Sequence, residues 1–416
     1  MTTARQGAPA LLPKDHLRIL LLENVHQTAH EIFATEGFRV ETLKTSLSQA
    51  ELSERLRDVH ILGIRSKTQV PAAVLAAAPH LLTVGCFCIG VNQVDLTAAS
   101  REGIPVFNAP FSNTRSVAEM ILAEVITLSR QLGDRSREVH AGRWRKVATG
   151  CYEVRGKVLG IVGYGHIGRQ LGVIAEALGM RVLFYDHASK LPMGNNTAAE
   201  NLGEVLAQAD FVTLHVPETA QTKHMIGAAE IARMKPGSFL LNASRGSVVV
   251  IPALAEALQR GHLAGAAIDV YPEEPESNVD DFKSQLQELP NVILTPHIGG
   301  STSEAQAAIG REVGTALTKF VNTGATTGAV NFPQVEVAQV RGSHRILNVH
   351  RNVPGVLRDI NRIVSDRGAN IQSQVLATDP SIGYLIMDLD MDKSVSDEVA
   401  AAIAALPTNI RTRILY

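Results

Sequence analysis

The stretch GIVGYGHIG sets Gly163, Gly165 and Gly168 at G-x-G-x-x-G spacing. That spacing suits a backbone that turns sharply, approaches a pyrophosphate and packs a helix onto a strand, with the helix N-terminus offering N–H groups to the anion. The apolar run VLGIV precedes it, and Ile167, Leu171, Ile174 and Leu178 follow as one helical stripe. A second apolar run ends at Asp186, about 20 residues further on. A carboxylate there accepts hydrogen bonds from both ribose hydroxyls and repels a 2′-phosphate, which selects NAD over NADP. Three polar side chains then close three later apolar runs: Arg245 in LLNASRGSVV, Glu274 in DVYPEEP and His297 in TPHIGG. Beside a hydride carrier these types suit the chemistry of 2-hydroxy and 2-oxo acids. An arginine pairs with the substrate carboxylate and polarises the keto oxygen. A histidine exchanges the hydroxyl proton, and a carboxylate on its far nitrogen fixes the tautomer and raises its pKa. His215, also at a strand end, reads as a structural neighbour of the cofactor.

Such residues converge only where the C-terminal ends of parallel strands line up. Apolar runs at 158–162, 182–185, 211–216, 239–243, 264–270 and 292–295, with helical segments between most of them, predict a Rossmann-type doubly wound α/β domain. Upstream, runs at 18–22, 61–64 and 81–85 alternate with helical patterns and predict another βα domain. A helical pattern over 304–323 leads into NTGATTGAVNFPQVEVAQVRGSHR, a linker composition. The remainder reads as strands 345–350, 371–377, 383–390 and 409–415 around helices 353–366 and 395–405, a βαββαβ ferredoxin-like module. Ser394 and Asp397 form a capping pattern at the start of its second helix.

Thirty-nine basic against 41 acidic residues give a net charge of −2, and aromatics are only 4% of the chain. That excludes a surface built to hold nucleic acid. No apolar run approaches the ~18 residues a membrane span needs. Cys86, Cys88 and Cys151 make neither a disulfide framework nor a metal site and read as reduced thiols. Residues 1–16 read as a frayed leader, not a secretion signal, because Lys14, Asp15, His16 and Arg18 break any apolar region. These features predict a cytoplasmic protein without metal.

CFCIGVNQVDL (86–96), FNAPFSNTRSVAE (107–119), GYGHIG, NASRGSVV, AAIDVYPEEP and TPHIGGST together carry a resemblance to the D-isomer-specific 2-hydroxyacid dehydrogenases. It covers almost the whole chain. It implies a discontinuous, flavodoxin-like substrate-binding domain (1–111 and 301–333), a dinucleotide-binding domain (112–300) and a C-terminal ACT regulatory domain (340–416). It implies Arg245, Glu274 and His297 as the catalytic set, with His297 the proton donor, and Asp269 near the nicotinamide carboxamide. Cofactor contacts carry over onto Gly163, Gly165, His166, Ile167, Gly168, Asp186, Ala243, Ser244, Arg245, Asp269, His297, Ile298, Gly299 and Gly300.

The resemblance is narrowest to members that use NAD to oxidise D-3-phosphoglycerate to 3-phosphohydroxypyruvate, the first step of the phosphorylated route to L-serine. It points to Arg65, Ser66 and Asn92 as substrate contacts, with Lys44, Lys67 and Lys146 as further cations. The C-terminal module resembles ACT domains that bind L-serine between two paired copies. The matching positions are His350, Asn352 (also placed as a helix N-cap) and Asn370, and the family implies a homotetramer. One departure stands out: where some members have a Gly-Gly hinge, this chain has Gly342-Ser343, which implies a stiffer connection and weaker coupling. Alternatives within the fold are a dehydrogenase for 2-hydroxyglutarate/2-oxoglutarate or glyoxylate, and an NAD-sensing binding protein. The intact triad and the ACT-like tail argue against the last.

Overall fold

The computed structural model describes residues 14–275, 281–338, 340 and 342–415. Of the expected leader, 1–13 lie outside these residues. Lys14–His16 instead form a 3-10 turn tied down by Lys14 Nζ, 2.6 Å from Glu36. The chain folds as two compact units, Met1–Ser112 with Gln306–Tyr416, and Asn113–Ala305.

In the first unit, strands β1 (Arg18–Leu21), β2 (Arg39–Thr42), β3 (Ile61–Ile64), β4 (Thr83–Cys86) and β5 (Val106–Phe107) form a parallel sheet ordered β2-β1-β3-β4-β5. This is the flavodoxin-like order. The helix Ser303–Thr323 buries Ile309, Val313, Leu317 and Phe320, one stripe at helical spacing, against Leu17, Ile19 and Leu21. Two strands leave no apolar run long enough to read: β2 is an exposed, polar edge strand and β5 has only two residues.

In the second unit, β6 (Val158–Val162), β7 (Arg181–Tyr185), β8 (Thr197–Ala198), β9 (Phe211–Leu214), β10 (Ser238–Asn242), β11 (Leu263–Ile268) and β12 (Val292–Leu294) are all parallel, ordered β12-β11-β10-β9-β6-β7-β8. The order reverses between β6 and β9, so the ligand crevice of such a sheet opens at the carboxyl ends there.

The C-terminal module adds β13 (His344–Arg351), β14 (Asn370–Thr378), β15 (Ile382–Asp390) and β16 (Asn409–Leu415), antiparallel in the order β14-β15-β13-β16. One sheet face packs Ile346, Leu385 and Met387 under the helices Val356–Asp366 and Lys393–Ala404. The other puts Leu347, Val349, Tyr384 and Ile386 into one core with Phe320, Val321 and Phe332 of the first unit. The linker composition therefore does not make a loose tether. Arg345 and Asp388, both 0% exposed, pair through two bonds of 2.6 and 2.8 Å. Arg345 also donates to the carbonyls of Thr323, Val337 and Ala338. At the expected hinge Gly342 has a φ of +77°, and Ser343 Oγ closes the turn by donating to Val340 O at 2.7 Å.

Both expected caps in this module are different. Gly355, at a φ of +93°, occupies the N-cap of Val356–Asp366, while Asn352 Nδ2 donates to Asp379 O at 2.7 Å. The second helix starts at Lys393 behind an extended Asp392, ahead of Ser394. Among the described residues no helix is long and apolar enough to cross a membrane.

Candidate active site

The second unit builds its dinucleotide turn from the end of β6. Gly163 has a φ of +93°, donates to Tyr185 O at 2.8 Å, and would put a Cβ 2.3 Å from the His215 carbonyl oxygen. Only glycine meets both demands. Gly165 is the N-cap of the helix His166–Ala177, with no neighbouring atom within 4 Å of where a Cβ would stand. Gly168 packs against the Gly163 carbonyl. An open N-cap over a helix N-terminus fits a dinucleotide pyrophosphate. Asp186, just past β7, accepts from Tyr164 N (2.9 Å) and Ala188 N (3.0 Å), which fixes its carboxylate where a ribose would lie. Behind it Tyr164 stacks on Phe184 at 3.6 Å and donates to Asn196 at 2.8 Å. The residues present fit NAD. His215 is held neutral, its pKa pulled down to about 4 by burial, with Nε2 3.0 Å from Thr213 Oγ1.

Arg245, Glu274 and His297 follow the adjacent strands β10, β11 and β12. His297 Nδ1 is 2.8 Å from Glu274 Oε2, and Glu274 Oε1 accepts from Tyr271 N at 3.2 Å. His297 holds a φ of +54°, a left-handed conformation uncommon outside glycine. Asp269, 1% exposed, fixes that loop: its carboxylate accepts from Thr295 Oγ1 (2.6 Å), Ile298 N (2.8 Å) and Gly299 N (2.9 Å). Its carbonyl accepts from His297 N at 2.8 Å.

The Glu274 hydrogen bond raises the His297 pKa above 6.5; burial opposes it and the Glu274 charge adds to it. For Glu274, burial pushes the carboxyl up, but the bond and charge of His297, the Tyr271 amide and the Arg245 charge together bring it below 4.5. The Arg245 charge acts on both partners, so the three form one electrostatic cluster. Asn242 shapes the Arg245 turn, donating to Arg245 O and accepting from Ser244 N and Oγ. Ala243 and Ser244 lie in that turn, and Ile298, Gly299 and Gly300 in the loop behind His297.

In the first unit, Lys44 follows β2, Arg65, Ser66 and Lys67 follow β3, and Asn92 follows β4, so all five share the carboxyl edge of one parallel sheet. Lys146 belongs to the second unit. Its neighbours Arg143 and Arg145 line a cavity of about 520 Å³ with Leu263, Ala264 and Asn291, at the amino ends of β11 and β12. That is the sheet edge opposite His297. The effector positions are also apart within one chain. His350, 3% exposed and bonded to Asn348 at 2.8 Å, pairs with Gly383, whereas Asn370 pairs with Asp390. The intervening stretch of β15 spans about 24 Å at ~3.4 Å per residue.

Besides Asp388, the buried carboxylates Glu23 and Glu124 went unseen in the sequence. Glu23 holds the loop that carries Arg65. Glu124 is 6% exposed, and burial, then the Asp269 charge, push its pKa up to about 8. The stripe Val117, Ile121, Glu124, Leu128 of the helix Thr114–Arg130 was the signal that placed it inward.

A sequence model of the D-isomer specific 2-hydroxyacid dehydrogenase NAD binding domain matches residues 122–299, and one of an AHAS small subunit-like ACT domain matches 346–411. The chain is 55% identical to the D-3-phosphoglycerate dehydrogenase of Dictyostelium discoideum, over 97% of this chain and 98% of that protein. It is 51% identical to the Escherichia coli K12 protein of the same name, over 98% of this chain and 100% of that one. A crystal structure of D-lactate dehydrogenase from Aquifex aeolicus complexed with NAD and lactic acid aligns with a TM-score of 0.66 at 27% identity, over 76% of this chain and 100% of that chain.

Proposed function

The chain belongs to the D-isomer specific 2-hydroxyacid dehydrogenase family, and from that premise we propose that it uses NAD to oxidise D-3-phosphoglycerate to 3-phosphohydroxypyruvate, the entry to L-serine biosynthesis. The observation that carries the chemistry is the 2.8 Å contact of His297 Nδ1 with Glu274 beside Arg245. A carboxylate acceptor there keeps the hydrogen on Nδ1 and leaves Nε2 with its lone pair free for a substrate hydroxyl. Arg245 holds the carboxylate of the 2-hydroxy acid and polarises its C2 oxygen. His297 takes the hydroxyl proton as the C2 carbonyl forms, and returns it in reduction. Bound NAD, held on Gly163, Gly165, Gly168 and Asp186, supplies the acceptor for the C2 hydride. Arg65 and Ser66, with Asn92, Lys44 and Lys67, serve the anionic groups of the substrate.

Steady-state kinetics on a panel of 2-hydroxy and 2-oxo acids, with NAD and with NADP, tests this reading. Phosphorylated substrate with NAD should give the highest kcat/KM; a higher value for 2-hydroxyglutarate or glyoxylate overturns the substrate assignment. The pH profile tests the dyad. Oxidation needs neutral His297, so kcat/KM should rise with pH through an inflection above 6.5. In Glu274→Gln the raising partner is gone and the inflection should move to lower pH; an unmoved inflection refutes the coupling.

L-Serine binds the C-terminal module across two copies, with His350 and Asn352 from one and Asn370 from the other. What supports this is their separation along the sheet of one chain. The protein is then a cytoplasmic homo-oligomer, a tetramer by family resemblance. The exposed apolar side chains of Leu132, Val139, Trp144 and Val147 are consistent with assembly. Millimolar L-serine should lower initial rates in wild type and not in Asn370→Ala; unchanged wild-type rates remove the effector assignment. Light scattering should return four times the 44.6 kDa chain mass, and a single-chain mass overturns assembly.

A further inference from the structure

The sheet edge that carries Arg65 and Lys44 has a residue between them with no place in the chemistry so far. Glu23 lies two residues past the end of β1, the strand between β2 and β3. It is 8% exposed although it is an acid on a loop. Its carboxylate accepts three backbone N–H groups of the next loop: Arg65 N (3.2 Å) and Thr68 N (2.8 Å) on Oε1, and Lys67 N (3.0 Å) on Oε2. Its carbonyl faces Arg65 Nη1 at 3.4 Å. On the other side the Glu23 N–H donates to Thr45 O and the Asn24 N–H to Leu43 O, flanking Lys44. Glu23 and Asn24 adopt φ values of +61° and +55°, two consecutive left-handed non-glycine residues. Such conformations persist where surrounding contacts over-determine them, and they cluster at binding sites. Gln93 completes the clamp by donating to Arg65 O at 2.6 Å.

We propose that Glu23 is a positioning residue for the anionic substrate: its carboxylate fixes the Arg65–Thr68 loop so that the Arg65 side chain is pre-aimed at the substrate's charged group. This rests on the reading above, in which Arg65 is a substrate contact. The carboxylate takes up three of the four N–H groups of Arg65–Thr68, so the loop meets the anion chiefly through side chains. It also binds loop backbone and leaves the guanidinium charge uncancelled. A substituent that cannot accept three N–H bonds frees the loop, and each substrate molecule must then order it on binding.

Kinetics of Glu23→Gln, Arg65→Ala and the double variant test this, with wild type alongside. Glu23→Gln should raise the KM for 3-phosphoglycerate ~10-fold or more, with kcat changed by no more than ~3-fold and the KM for NAD unchanged. Because Glu23 acts through Arg65, adding Glu23→Gln to Arg65→Ala should change that variant's KM by no more than ~2-fold. A merely structural role would lower the active fraction and leave KM alone. Glu23→Asp, with the charge kept and the reach shortened, should be intermediate and serves if the glutamine variant does not fold. An unchanged substrate KM in both variants, or fully additive effects in the double variant, overturns the proposal. A wild type inactive on 3-phosphoglycerate would instead overturn the substrate reading.

Discussion

His297→Ala should lower kcat by ~10²–10⁴-fold in both directions of the reaction while changing NAD affinity far less than kcat. The imidazole is hydrogen-bonded to Glu274 within reach of the Arg245 charge, and Glu274 fixes which nitrogen is basic. Without it the alkoxide must lose or gain its proton through water. The nucleotide contacts on the β6 turn are untouched, so dye-free NAD titration by intrinsic fluorescence or calorimetry should still report binding. Removing Glu274 should cost less than removing His297, because a mis-poised base still transfers protons. A His297→Ala enzyme within ~10-fold of wild type would place the proton transfer elsewhere.

The second large effect concerns the fold. Asp388→Ala should destabilise the first unit by ~3–5 kcal/mol, because it strands the Arg345 charge where neither side chain touches solvent. The guanidinium keeps its three carbonyl acceptors but loses the one anion it pairs with among the described residues. The double replacement Arg345→Met with Asp388→Leu should recover most of that loss, since an apolar pair of similar volume incurs no charge desolvation. Urea unfolding of wild type and these two variants measures this. An Asp388→Ala loss below ~1 kcal/mol would mean water reaches the pair.

The strands were legible in the sequence where an element had an interior on both faces. β3 and β4 are buried at every position, and so are the runs that became β9 and β10. β2 escaped because an edge strand with one wet side has no apolar run to show. The glycine turn was legible because each glycine answers a steric demand, whereas Glu23 was not. A carboxylate that binds the backbone of a loop more than 40 positions away leaves no local pattern, and the same holds for Asp269 reaching Gly299. The sequence likewise holds no local pattern that says which edge of a sheet a loop reaches, as with the segment of Arg143 and Arg145 at the amino ends of β11 and β12.

The core shared by the C-terminal sheet and the helix Ser303–Thr323 has an evolutionary consequence. Regulatory modules joined by a flexible strap can be lost or exchanged by shifting a gene boundary. Here, trimming the chain at residue 340 would strip Leu347, Val349, Tyr384 and Ile386 from Phe320, Val321 and Phe332. It would leave a greasy scar on the substrate-handling half. The C-terminal sheet is thus a wall of the first unit, and a lineage with no use for a ligand on this module would still keep it as structure.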